Sequence, residues 1–547
     1  MQIPDVNLDA ITDPAARQVI GQLLNLIETL VAENQALRAE NQQLRDENAR
    51  LKGGSGKPDV KPPTPSTPPA DHSSERERHT PKPRQKGRKL GILKPTRTQL
   101  CVVDPATLPP DAIRHDTTEV IVQDLLLQPQ IIRFVREVWL VPSTGETITA
   151  PLPDGYHGEF GPHIQALTLT LGHGASVSQP SLLTFFQDAG IAIGKGTIAR
   201  WLCDHRTSWR ADAQAIHQAG LASTEWQATD QTSTRVDGQN ETCHVLGNPL
   251  FTVYQTRPGG TRQDVLSVLW GQEPLFRLNA DALAWLDASS INRALLTQIA
   301  AALPWDTGLS ATDLTRQLDD AGVPLGPQQR QQVWDALAIA AYHAQTTVPI
   351  VRRLLSDDAS VYDLLTDQHA LCWIHDARHY AKLTPVVAAH RAVLAAFRND
   401  YWAFYRQLLA YRTAPSEGER ARLRAYFDEL FSRRTGYDAL DERIAKTWAK
   451  GELLLLVLDH PDLPLHNNDM ELAARRRVRK RDVSFGPQSR AGAQAWDTFQ
   501  TIIATASKLG VRVYAYFLER LMAPTTTPTL ADHIRERTCP AACPNPT

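Results

Sequence analysis

Leucine recurs every seventh residue at Leu23, Leu30, Leu37, Leu44 and Leu51. With these at d, the a positions are Ile27, Asn34, Asn41 and Asn48. The g positions are Glu33, Glu40 and Glu47, and the e positions five residues on are Arg38, Arg45 and Lys52. Leucine at d favours two strands, and asparagine at a prefers asparagine from an in-register parallel partner. Every g–e′ pair between parallel copies then opposes Glu to Arg or Lys. Residues 20–53 therefore predict a parallel homodimeric leucine-zipper coiled coil, behind an N-terminal tail at 1–19. The residues before it, Asp5 to Arg17, are mixed and slightly acidic. A basic-zipper DNA reader needs a basic helix there, so the zipper serves dimerisation.

After Gly53-Gly54-Ser55-Gly56 the pattern changes. Residues 54–98 are rich in Pro, Ser and Thr and cannot form a core. Lys82, Arg84, Lys86, Arg88 and Lys89 gather at the end of this linker, either to contact DNA phosphates or simply as a solvated run. Residues 99–160 read as a small β-rich domain, with strands at 119–122, 130–140 and 146–149. Residues 161–222 turn helical. Ser181 to Asp188, the turn Ala189-Gly190-Ile191, and Gly196 to Leu202 fit a helix-turn-helix, with Lys195 and Arg200 as its obvious phosphate or base partners. A generic helix pair fits the same pattern.

From 223 to 520 strands and helices mix, which makes the fold class α/β. Trp226–Val236 is a strand carrying Asp230, followed by antiparallel strands near 244–248 and 250–255. Asp is depleted in strands, so Asp230 is either a strand-end turn residue or a ligand. Residues 278–345 and 372–460 read as helical insertions. Between them, Pro349 to Asp358 is a strand ending in two acids, a common place for a ligand or metal at the carboxyl edge of a sheet. Residues 521–547 form a C-terminal tail.

Composition adds less. The net charge of −2 argues neither for nor against nucleic acid, although basic residues cluster before Gln99 and after Glu471. Six scattered cysteines make no disulfide framework and suit a reducing cytoplasm. No signal peptide is apparent at the N-terminus. The longest apolar run, Leu453 to Leu458, is too short to span a membrane.

The chemistry concentrates in Asn467-Asn468-Asp469-Met470-Glu471 and the basic run through Arg481. Asn468 with Glu471 is a capping-box pattern. On a helix, Asn467, Glu471 and Arg475 also share a face, where a carboxylate can meet a metal on one side and a phosphate on the other. Cys372, His375 and His379 have the spacing of zinc ligands on a helix, but no fourth ligand is near in sequence, which favours a packed polar face.

A strand with Asp230, two more strands, a strand ending at Asp357 and a helix with Glu471 resemble the ribonuclease H-like core of DDE-type transposases and retroviral integrases. The local motifs resemble the insertion-sequence-66-type bacterial transposases. They are Asp230-Gln231-Thr232, Cys372-Trp373-Ile374-His375-Asp376-Ala377-Arg378, Asn467-Asn468-Asp469-Met470-Glu471-Leu472-Ala473, Ser484-Phe485-Gly486 and Thr505 to Val511. The resemblance implies that Asp230, Asp357 and Glu471 bind two Mg²⁺, or Mn²⁺, for cleavage of transposon ends and joining of 3′-hydroxyls to target DNA. Asn467, Asn468, Arg475, Arg476, Lys480 and Arg481 would meet the DNA, as would Lys195, Arg200 and Arg378. The implied setting is a bacterial cytoplasm, on the nucleoid. There are three departures: Cys101 stands alone where the family has a Cys-rich zinc element, residues 278–345 are long, and Gln231 replaces an acid. They keep open a catalytically silent DNA-binding relative. Asp357 and Asp358 point to opposite faces of their strand, and alignment on Leu354-Leu355-Ser356 favours Asp357.

Overall fold

The structure, a computed structural model, describes residues 10–51, 94–114, 116–203, 207–289 and 291–538. Residues 1–9, residues 54–93 of the linker with Lys82 to Lys89, and Cys539 and Cys543 lie outside the described residues. Helix α1 spans Pro14–Leu51. It begins earlier than the heptads require, because Pro14 suits the first helical position and the Asp13 carboxylate accepts the Ala15 N–H at 3.0 Å. Leu23, Leu30, Leu37 and Leu44 are each about half exposed. Asn34, Asn41 and Asn48 are exposed and Ile27 is partly covered, while the Leu51 side chain is not among those described. A different stripe of α1 packs on the body. Leu24 is buried, Asn25 Nδ2 donates to Gly436 O at 3.0 Å, and the Glu28 carboxylate accepts from Val386 and Val387 N–H at 2.8–3.0 Å.

The region expected as a β-rich domain is mostly not β. Its one hairpin pairs Val138–Val141 with Glu146–Thr149; residues 119–122 and 130–137 form no strand. Val120, Val122, Ile131 and Val135 are all strongly exposed, so the alternating pattern has no second layer to bury it here. The helix pair does form, as α2 (Gln179–Asp188) and α3 (Lys195–Leu202). Gly190 adopts φ +83° in the turn, and Leu182, Phe186, Ile193 and Ile198 make a small core. Helix α4 (Thr207–Leu221) leaves this unit and packs against the central sheet.

That sheet has five strands: β1 (Trp226–Val236), β2 (Gln239–Asn248), β3 (Phe251–Arg257), β4 (Arg353–Ser356) and β5 (Gln368–Leu371). Their order is β3-β2-β1-β4-β5. The first three are antiparallel, and β1, β4 and β5 run parallel. Asp237 and Gly238, at φ +48° and +74°, make the two-residue turn between β1 and β2, as Asp-Gly does in type I′ hairpins. The long connection to β4 is helical, as expected for 278–345, and closes with α5 (Pro327–Ala344). After β5 comes α6 (Trp373–Ala381), which opens a separate aromatic-rich core within 372–460 built on Trp373, Tyr401, Phe404 and Phe427.

Helix α7 (Asn468–Ser484) returns to the sheet, and α8 (Arg490–Lys508) packs on β3. Helix α9 (Leu530–Thr538) buries Leu530, Ala531 and Ile534 against α4, so the chain stays packed beyond 521, where a tail was expected. Among the described residues no helix is long and apolar enough to cross a membrane.

Candidate active site

The parallel pairing of β1 with β4 ends at Ala228 opposite Leu355. Both residues pack with Met470, Ala473 and Ala474 of α7. Two residues further on are Asp230, on the same face of β1 as Ala228, and Asp357, just past the end of β4, where the two strands part. Asp358 pairs with Lys450. The Asp357 charge, by contrast, is felt at Asp230 and His375.

Burial of Met470, worth about 2 kcal/mol, sets the rotation of α7 and brings Glu471 to the strand ends. The helix cap is Asn467, and no side chain caps the helix, so the capping box does not form. The Glu471 carboxylate instead accepts both bonds from Arg378 Nη2, at 2.8 and 3.1 Å. His375 Nε2 lies 3.6 Å from it and 2.8 Å from Arg378 Nη1.

The acids sense one another. Burial first, then the Glu471 and Asp357 charges, push the Asp230 carboxyl up to about 7, against a hydrogen bond from the Gln231 N–H and the Arg378 charge. Burial, then the Asp357 and Asp230 charges, raises the Tyr362 phenol. His375 is pushed down by burial and then by Arg378. A cluster of anions beside one guanidinium has the hard oxygen donors that a divalent cation uses. Among the described residues, the one set whose ligand atoms all lie within 4.8 Å of each other is Cys372, His375 and Glu471. It does not suit zinc. Burial pushes the Cys372 thiol up to about 11, its sulfur accepts the Asn467 N–H at 3.3 Å, and Arg378 already bridges the other two. His379 sits apart, beside Arg443 and Asp376.

The residues expected to meet DNA divide in two. Asn467 and Asn468 are buried. Asn467 Nδ2 donates to Thr229 O at 2.6 Å, which ties α7 to β1 beside Asp230. Lys480 is buried too: it donates to Gly172 O at 2.5 Å and lies 4.6 Å from the centre of the Trp496 ring. Burial, then Arg477, lowers its pKa to about 7. These three are pulled inward because α7 buries one helical stripe, Met470, Ala473, Ala474, Arg477 and Lys480. Arg475, Arg476, Arg378, Lys195 and Arg200 are exposed. Arg481 is partly covered and donates to Ser233 O.

Sequence reasoning missed several supports. Ser356 Oγ donates to Asp357 O and lies 2.7 Å from His369 Nε2, bracing the strand end that carries the second acid. Buried Arg477 pairs with Asp497. Tyr362 and β5 gave no periodic signal.

Residues 340–495 match the family described as Transposase IS66 family. That segment holds Asp357, Arg378 and Glu471 and leaves Asp230 outside. The chain is also similar to "Uncharacterized protein y4jO" of Sinorhizobium fredii (strain NBRC 101917 / NGR234), with 31% identity over 309 residues, covering 55% of this chain and 94% of that protein. No solved structure matches the chain.

Proposed function

The chain belongs to the IS66 family of transposases, and on that premise we propose that it is a DDE-type DNA transposase with a ribonuclease H-like catalytic core. The observation that carries this reading is that Asp230 is near enough to Glu471 and Asp357 for their charges to add to burial in raising its proton affinity, although the three carboxylates do not close to within 4.8 Å of one another. Three antiparallel strands followed by two parallel ones, in the order β3-β2-β1-β4-β5, support the same core.

Asp230, Asp357 and Glu471 would hold two Mg²⁺, or Mn²⁺. Such ions activate the attacking oxygen and stabilise the leaving one in phosphoryl transfer. The protein's own part is to fix the acids. The bond from Asn467 to Thr229 O holds α7 against β1, and Ser356 with His369 braces Asp357. Arg378 balances Glu471 and is exposed enough to reach a phosphate. Arg475 and Arg476 on the outer face of α7, with Lys195 and Arg200 on α3, form the bed for end and target DNA. The exposed heptad stripe of α1 supports a parallel homodimer, formed while Leu24 and Glu28 keep the helix docked on its own body.

The test is Mg²⁺-dependent nicking of a plasmid carrying the cognate ends. Glu471→Gln should abolish cleavage and leave end binding intact. Near-normal cleavage by that variant would refute the triad; an inactive wild type that still binds ends would favour the catalytically silent relative.

A further inference from the structure

Phe485 ends α7 in the left-handed region, at φ +58° and ψ 20°. Glycine normally takes this helix-ending position, because a side chain crowds the backbone there. Here the glycine comes one residue late, as Gly486 at φ +86°. The phenylalanine gains no packing in exchange. It is 86% exposed, the most exposed aromatic among the described residues. A strained backbone and a bare aromatic ring both oppose stability, and such outliers persist where function holds them.

The turn is pinned from beneath. A Cβ on Gly486 would lie 2.7 Å from Arg235 O, so only glycine allows this approach. The Asp237 N–H donates to Pro487 O at 3.2 Å. Ser489 then caps α8, accepting the Gly492 N–H at 3.1 Å. The ring is therefore held on a rigid mount at the tip of the β1–β2 hairpin. Its surroundings are charged: Arg235 and Arg479 are exposed and Arg481 is partly so, with exposed Asp237 in the hairpin turn and exposed Asp482 at 3.7 Å from Arg481. Ser233, Arg235, Asn240 and Arg481 line an open groove of about 440 Å³. Glu241, on the same groove, is engaged by Arg490 at 2.8 Å. An aromatic face among guanidinium groups is how proteins hold unpaired nucleotides, with the base on the ring and the phosphates on the cations. Along α7, Phe485 lies roughly 20 Å from Glu471, about six nucleotides of a strand laid on the helix.

We propose that Phe485 is a stacking platform for an unpaired nucleobase of the DNA strand that runs along α7 from the acids. This rests on the DNA-transposase reading and adds to it a contact away from the chemistry.

The test uses the full-length protein and two probes of one sequence: a blunt duplex, and a forked duplex with 2-aminopurine in its single-stranded arm. Phe485→Ala should weaken binding to the fork about tenfold and abolish quenching of the 2-aminopurine, with blunt-duplex affinity changed less than about twofold. Phe485→Trp should keep both signals. Phe485→Gly should lose them while unfolding at a higher temperature than wild type, since it relieves the backbone. Wild-type-like fork binding and quenching by Phe485→Ala would overturn the proposal. So would equal losses on both probes together with a change in oligomeric state, which would mark the ring as a protein contact. A wild type that binds and quenches but does not nick plasmid overturns the catalytic reading alone.

Discussion

Replacing Asp230 by Asn tests the electrostatics of the site without any knowledge of the DNA. Asn is close in shape and can still accept the Gln231 N–H that Asp230 Oδ1 accepts at 2.8 Å. What it removes is the charge. The folded protein holds the Asp230 proton to about pH 7, chiefly through burial and then through Glu471 and Asp357. An unfolded chain releases it near pH 4. Between those values the native state binds more protons than the unfolded state, so this group's contribution falls as pH rises and is flat above about 8. Three decades at about 1.4 kcal/mol each set an upper bound of about 4 kcal/mol. Relaxation and water entry reduce that to roughly 2 kcal/mol, or about 4 °C in Tm for a domain of this size. Thermal melts in EDTA should show Asp230→Asn more stable than wild type at pH 8, with the gap narrowing steadily towards pH 4. Added Mg²⁺ should raise the wild-type Tm and leave the variant nearly unmoved. A gap independent of pH, or a variant less stable than wild type at pH 8, would refute the account of mutual repulsion.

Three further outcomes are expected. Arg378 holds the Glu471 carboxylate in a half-exposed pair worth about 1 kcal/mol, so Arg378→Ala should tighten Mn²⁺ binding up to about fivefold by calorimetry; unchanged or weaker binding would show that the guanidinium does not compete with a cation. Leu30→Asp with Leu37→Asp places charges on the exposed stripe of α1 and should convert a dimer to a monomer in sedimentation without lowering the Tm of the body, whereas Leu24→Ala, in the docked stripe, should cost the folded protein about 3 kcal/mol.

The helix that carries the heptad stripe, the helix pair and the strands beside the acids were legible because each is a local pattern. The heptad fixes which face of α1 is apolar, and Asp237-Gly238 fixes the hairpin that follows Asp230. Local pattern misled where burial needs a second layer. The alternation at 119–137 has none, and those residues form no strand and stay almost all exposed. Asn468 and Glu471 spelled a capping box, yet a side chain caps a helix only if nothing stronger claims it, and Arg378 claims Glu471 from ninety-three residues away.

The sequence by itself therefore determined which residues are candidates for chemistry: three acids in order, a basic helix and an apolar heptad stripe. Only the tertiary structure decided how they face. Beyond the register of Ala228 with Leu355, the Asp357 charge reaches Asp230 and His375 while Asp358 is held by Lys450. The burial of Met470 and Ala473 rotated α7 so that Asn467 and Lys480 turned inward, Arg475 and Arg476 outward, and Glu471 to the strand ends. A helix can bury only one stripe, and which stripe it buries is set by the sheet it meets rather than by its own composition.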